Sequence, residues 1–185
     1  MKRITNYINE KLHITSKQQY TCQPTTCDEL RNIIFQRIKE DGNECDLNDI
    51  DVSKITDMTT LFDGYRNKII KNFNGDMSRW NVSNVKNMTE MFYCCENFNC
   101  DISGWDVSNV TNMENMFYHC KKFNCNISRW DVSNVENIEW MFCDCKKFKQ
   151  NLDNWNVSNV TNMNSAFYKC STQPKWYDKD KYECW

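Results

Sequence analysis

The segment Trp80-Asn81-Val82-Ser83-Asn84-Val85 returns as Trp105-Asp106-Val107-Ser108-Asn109-Val110, then again from Trp130 and from Trp155, so four tryptophans stand 25 residues apart. A fixed period in the range of about 20–50 residues marks an array whose units are each too small to bury their own apolar face. Such a chain must stack its repeats on one another. That constraint settles more about the fold than any composition value does.

A full copy runs from Phe98 to Lys122, and its neighbours begin at Phe73, Phe123 and Phe148. A more divergent copy precedes them, with Cys45-Asp46-Leu47 followed by Ile50-Asp51-Val52-Ser53, in which Ile50 holds the tryptophan column. It stands 30 residues before the next copy, and the extra residues near Tyr65 to Ile70 read as a loop between two repeats. Within a repeat, Ile102, Trp105 and Val107 read as a short extended run. Val110, Met113, Met116 and Phe117 fall on one face of a helix, which Ser108 or Asn109 is placed to cap. The expectation is therefore an α/β solenoid of about five coils, each a strand, a tight turn and a short helix, with neighbouring strands about 4.8 Å apart.

Ahead of the repeats, Ile4 to Leu12 is a short amphipathic stretch. Thr26-Cys27-Asp28-Glu29 reads as a capping box, followed by Leu30, Ile33, Ile34 and Ile38 on one face and Gly42 as a stop. Repeat arrays need closed ends. The segmentation expected is an N-terminal helical cap over residues 1–44, a repeat solenoid over 45–170 and a C-terminal cap over 171–185, where Trp176, Tyr177, Tyr182 and Trp185 supply apolar bulk.

Lys and Arg number 23 against 25 Asp and Glu, a formal net charge of −2. That balance argues against nucleic acid as partner, which rewards a concentrated basic face. No apolar run is long enough for a membrane span. The basic N-terminus lacks the apolar core of a secretory signal, so the expected location is cytoplasmic.

Twelve cysteines would suggest disulfides in a secreted domain. Their positions point elsewhere. Cys95, Cys120, Cys145 and Cys170 recur at the repeat period, as do Cys100 and Cys125, and cysteines locked to a repeat behave as small buried apolar residues. A ladder of reduced thiols is the expected state, with Cys22, Cys27 and Cys184 the more reactive set.

The column Trp80, Trp105, Trp130 and Trp155 has the look of a sugar-stacking ladder, but alternating Val and Ile beside it favour a core stripe. The asparagine columns at 84/109/134/159 and 87/112/137/162 suit satisfaction of backbone groups at turns. Asp76 and Asp101, with Asp106 and Asp131, lack the glycine-rich loops of calcium repeats. Cys22 with Cys27, Cys94 with Cys95, and Cys143 with Cys145 lack the paired spacing of a zinc site that His119 could complete. No metal and no cofactor is expected. Cys120 with His119 makes a poor hydrolase pair, because sequence neighbours seldom point at one another. No catalytic residue is assigned.

Between the fixed columns the residues vary, and such positions are where a repeat array writes partner specificity. Tyr93, Tyr118, Tyr168, Trp140 and His119 are the candidate binding residues, the exposed aromatics being the strongest anchors. The expected function is a non-enzymatic protein–protein interaction scaffold with a protein partner. The alternative is a structural, virion or surface component acting as a rigid spacer or adhesin.

The run Phe98-Asn99-Cys100-Asp101-Ile102-Ser103-Gly104-Trp105-Asp106-Val107-Ser108-Asn109-Val110-Thr111-Asn112-Met113, continued to Cys120, resembles the repeat of BspA-like leucine-rich-repeat proteins and the related mycoplasma repeat family of unknown function. The resemblance covers about residues 45–170. It implies a right-handed leucine-rich-repeat-like solenoid used in protein interaction or adhesion, with no assigned catalytic site. It also implies relatives on bacterial surfaces and in phages, large viruses and some protists. Surface members carry a signal peptide or lipobox, which this sequence lacks, so the resemblance implies a cytoplasmic or phage-associated chain, with the cell surface as the alternative.

Overall fold

A computed structural model describes residues 20–183. The stretch Ile4 to Leu12, His13, Cys184 and Trp185 lie outside the described residues.

The repeats stack in register, but not as strands and helices. Among the described residues the helices are α1 (Cys27–Asp41), a 3-10 turn (Ile70–Asn72) and α2 (Lys179–Tyr182), and none lies within the repeating motif. Extended pairing among the described residues is confined to isolated parallel bridges, Cys22 to Ile50, Asp46 to Asp76, Asp57 to Asn87, Asn87 to Asn112, Asn112 to Asn137 and Asn137 to Asn162. The expected α/β solenoid of strand plus short helix, leucine-rich-repeat-like and right-handed, is therefore corrected: each repeat is a succession of tight turns.

The backbone of one repeat shows why. Six N–H groups close i to i+3 turns, from Trp105 to Ile102, Val110 to Val107, Met116 to Met113, Tyr118 to Asn115, Cys120 to Phe117 and Phe123 to Cys120, at 2.9–3.2 Å. The alternate N–H groups of Met113, Asn115, Phe117 and His119 donate instead to Asn137, Glu139, Met141 and Cys143 of the next repeat, at 2.8–2.9 Å. From Met113 to Cys120 four N–H groups thus hold the stack and three close turns, and every amide there is satisfied once Glu114 N–H reaches Asn112 Oδ1 at 2.9 Å. The i to i+3 closure buries Met113, Met116 and Phe117 with a spacing that imitates one helix face. Neither Ser108 nor Asn109 caps a helix. Ser108 donates its N–H and hydroxyl to Asp106 Oδ1, and Asn109 Nδ2 donates to Ser83 O at 2.8 Å.

Two of these turns need a left-handed residue at their third position, as type II turns do. Asn115 and His119 have φ of 55° and 57°, and their column-mates Glu90, Trp140 and Ser165, and Cys94, Asp144 and Lys169, share that conformation. Thr60 begins the first of these columns, with φ 55°. A side chain there costs about 1–2 kcal/mol, and glycine removes that cost. Burial pushes the Glu90 carboxyl up, Arg66 opposes it, and Asp63 and Glu114 add to it, so ionised Glu90 works against the fold. Glu90→Gly is accordingly expected to raise stability by about 0.5–1 kcal/mol, the local gain being partly offset by greater freedom of the unfolded chain. A lower thermal midpoint for this variant would contradict the left-handed turn.

The core is a set of columns running along the stack. Phe92, Phe117, Phe142 and Phe167 stack with centroids 5.7, 5.6 and 5.2 Å apart, and Phe98, Phe123 and Phe148 do so at 5.9 and 5.8 Å. Before the first repeat lies α1. Thr26 accepts from Glu29 N–H, Glu29 reaches back to Thr25 N–H at 2.8 Å, and Gly42 closes on Ile38 O with φ 84°. Its buried face is Leu30, Ile34 and Ile38. At the other end, Trp176 and Tyr177 meet Phe167 edge-on at 5.7 and 5.0 Å.

Candidate functional site

The tryptophans are interior. Trp80, Trp105, Trp130 and Trp155 are 4–5% exposed, and each indole N–H donates to a carbonyl one repeat back, those of Leu47, Met77, Ile102 and Ile127. Four buried rings offer no face to a sugar. The thiols of Cys95, Cys120, Cys145 and Cys170 behave alike, donating to Phe62, Phe92, Phe117 and Phe142 O at 2.8–3.0 Å. Three of the four are fully buried and Cys170 is half-buried.

The asparagines serve the backbone. Asn84, Asn109, Asn134 and Asn159 donate to Ser53, Ser83, Ser108 and Ser133 O at 2.6–2.8 Å. Asn87, Asn112, Asn137 and Asn162 accept from the N–H two residues on, at 2.9–3.2 Å. Asp76, Asp101, Asp106 and Asp131 accept likewise from the serine two residues on. Among the described residues no group of three or more His, Cys, Asp or Glu is placed to hold a metal.

The candidate binding residues come together on one line along the stack. Tyr93 and Tyr118 lie ring on ring, with centroids 4.8 Å apart and planes within 5°. The loop residue Tyr65, 75% exposed, extends this row by meeting Tyr93 edge-on at 6.2 Å. Further along, Trp140 meets Tyr118 at 6.2 Å and 67°, and Tyr168 at 6.2 Å and 81°. Around Trp140 the surface folds into a pocket of about 270 Å³ lined by Tyr118, His119, Cys143, Asp144, Tyr168 and Lys169. The left-handed turns build this pocket, since Trp140, His119, Asp144 and Lys169 all occupy positive-φ positions.

Its polar element is a pair of column-mates. His119 Nδ1 donates to Asp144 Oδ2 at 2.7 Å, and the Asp144 side chain is 7% exposed. Lys146 Nζ stands 3.6 Å from the other carboxylate oxygen. Burial pushes the Cys143 thiol up to about 12, with Asp144 adding to the effect and Lys169 opposing it. Burial likewise takes Cys94 to about 11 and Tyr93 to about 12. Thiols protonated at neutral pH are weak nucleophiles, because the thiolate is the reacting form.

The family described as Mycoplasma protein of unknown function, DUF285, matches residues 30–128 and 65–179. The chain belongs to this family. No curated protein matches it, and no solved structure does. The DUF285 match supports the mycoplasma-type half of the resemblance drawn above and leaves the BspA-like half unsupported. In this DUF285 chain, no helix among the described residues is long and apolar enough to cross a membrane.

Sequence reasoning assigned Tyr93, Tyr118, His119, Trp140 and Tyr168, and the structure puts the last four around one pocket. It did not assign Asp144, Lys169 or Cys143 to that site. The signal was available in the period, since Asp144 stands 25 residues after His119 and so one layer beyond it.

Proposed function

We propose that this chain is a non-enzymatic scaffold that binds a protein partner through its aromatic row. The observation that carries this reading is the continuous line Tyr93, Tyr118, Trp140 and Tyr168, half-buried at its base and ending in a pocket. Aromatic anchors of this kind dominate interface energetics because they bring large area at little entropic loss. The scaffold beneath is pinned by hydrogen bonds between successive repeats, so the row is pre-organised. The protonated thiols beside His119 further support binding over catalysis.

The test is selection of displayed random peptides on the immobilised protein. Enriched peptides are expected to bind saturably and to weaken at least about tenfold on Trp140→Asn with Tyr118→Ala, the loss typical of interface hot spots. Asparagine suits the left-handed backbone at 140, which separates loss of the ring from loss of the fold. No enrichment, together with self-assembly in light scattering, would favour the rigid-spacer reading.

A further inference from the structure

The pocket around Trp140 has the chemistry of a cation site. Tyr118, Trp140 and Tyr168 line it, with Trp140 edge-on to both tyrosines, and the Tyr168 ring face, which carries negative potential, already takes a cation in Lys169. Below them lies the Asp144 carboxylate, more than nine-tenths buried. A buried carboxylate attracts positive charge far more strongly than an exposed one.

The chain's own cations already use these surfaces. Lys169 Nζ sits 4.9 Å from the Tyr168 ring centroid, and Lys146 Nζ approaches Asp144 Oδ1 at 3.6 Å. Both lysines are exposed, Lys146 by 61% at its side chain, so water competes for them and they yield readily. A guanidinium fits better than either. It is planar, stacks on aromatic faces, is weakly hydrated, and forks onto a carboxylate with two parallel N–H donors. The volume of about 270 Å³ lies below the range of about 300–1,000 Å³ that takes a drug-sized molecule, and so suits one side-chain head.

We infer that this pocket receives an arginine side chain of the bound partner, its guanidinium laid on the Tyr168 ring face beside Trp140 and forked onto Asp144. The inference rests on the protein-binding reading and names the chemistry of the partner's anchor. Lys146 and Lys169 swing to solvent as the arginine enters, and His119 keeps one carboxylate oxygen oriented from behind.

The experiment is an NMR titration at constant ionic strength with N-acetyl-arginine-N-methylamide, its lysine and citrulline analogues, and tetramethylammonium chloride. The arginine amide is expected to shift the Trp140 indole signal saturably, with about fivefold weaker binding of the lysine amide and about tenfold weaker binding of neutral citrulline. Asp144→Asn, which keeps shape and suits the left-handed backbone, is expected to weaken arginine at least about fivefold. Trp140→Asn is expected to abolish the effect. Equal binding of citrulline, tighter binding of tetramethylammonium, or undiminished arginine binding by Asp144→Asn would each overturn the inference. Selected peptides that need Trp140 but no arginine would overturn it while sparing the scaffold reading. Arginine amide binding without any selected peptide would do the reverse.

Discussion

Trp105→Ala is expected to cost about 3–5 kcal/mol, the range for emptying a large aromatic from a packed core. The side chain is 4% exposed, lies on Trp80 with planes within 5° at 6.3 Å, and packs on Phe92 at the same distance. Its truncation also removes one of the two donors to Met77 O, which accepts the indole N–H at 3.2 Å and the Trp80 N–H at 3.1 Å. Losing that hydrogen bond adds to the loss. Because Trp105 has repeats on both sides, the cavity weakens two interfaces at once. Trp155 offers a built-in comparison: the valines that follow it, Val157 and Val160, are only partly buried. Trp155→Ala is therefore expected to cost less than Trp105→Ala. Urea unfolding followed by circular dichroism measures both, and an unchanged midpoint for Trp105→Ala would mean that the column does not hold the stack.

The period made the core legible. Once residues 25 apart share an environment, one apolar position predicts a buried column, and Trp, Val, Met, Phe and Cys duly line up inside. The helix α1 was legible for a different reason, because Thr26, Glu29 and Gly42 are end signals that act through local hydrogen bonds. What failed was the conformation within a repeat. Turns closing at i+3 bury residues three apart, and over seven residues that spacing is scarcely distinguishable from the 3.6 of a helix. The usual marker of such turns is glycine at the left-handed position, and here Glu90, Asn115, Trp140 and Ser165 stand in its place. A local sequence signal was thus missing where the structure most needed one.

That same substitution explains why the site was only half visible. Positions freed from packing were expected to vary, and they do, but the variable residues sit at the left-handed positions of turns. The left-handed residues recur one per layer, so column 94/119/144/169 sets Cys94, His119, Asp144 and Lys169 along one edge of the stack, with Asp144 buried and Lys169 exposed. Local strain of about 1–2 kcal/mol at each of them is tolerated because the hydrogen bonds between layers over-determine the backbone. The 25-residue period set Asp144 one layer beyond His119, but only the turns show that their side chains meet.

The thiols give the second large expected effect. All eleven described cysteines are free, and Cys95, Cys120 and Cys145 have no exposed surface. Burial holds their pKa well above the ordinary thiol value, and each S–H is engaged with a carbonyl of the preceding layer. A reagent reaches them only when the stack opens. For opening free energies of about 5 kcal/mol or more, labelling slows by a factor of about 1,000 or more relative to the unfolded chain. Cys170 shares the column but sits in the last repeat and is half-buried, so it is expected to react sooner than its three column-mates. Cys22 and Cys27 are half-buried as well, so both are expected to react ahead of the buried column. Timed alkylation of the native protein, read by mass spectrometry of its peptides, ranks all of these at once. Rapid labelling of Cys120, or a bridge joining two members of the column in freshly isolated protein, would show that the layers breathe independently and that the aromatic row above them is not pre-organised.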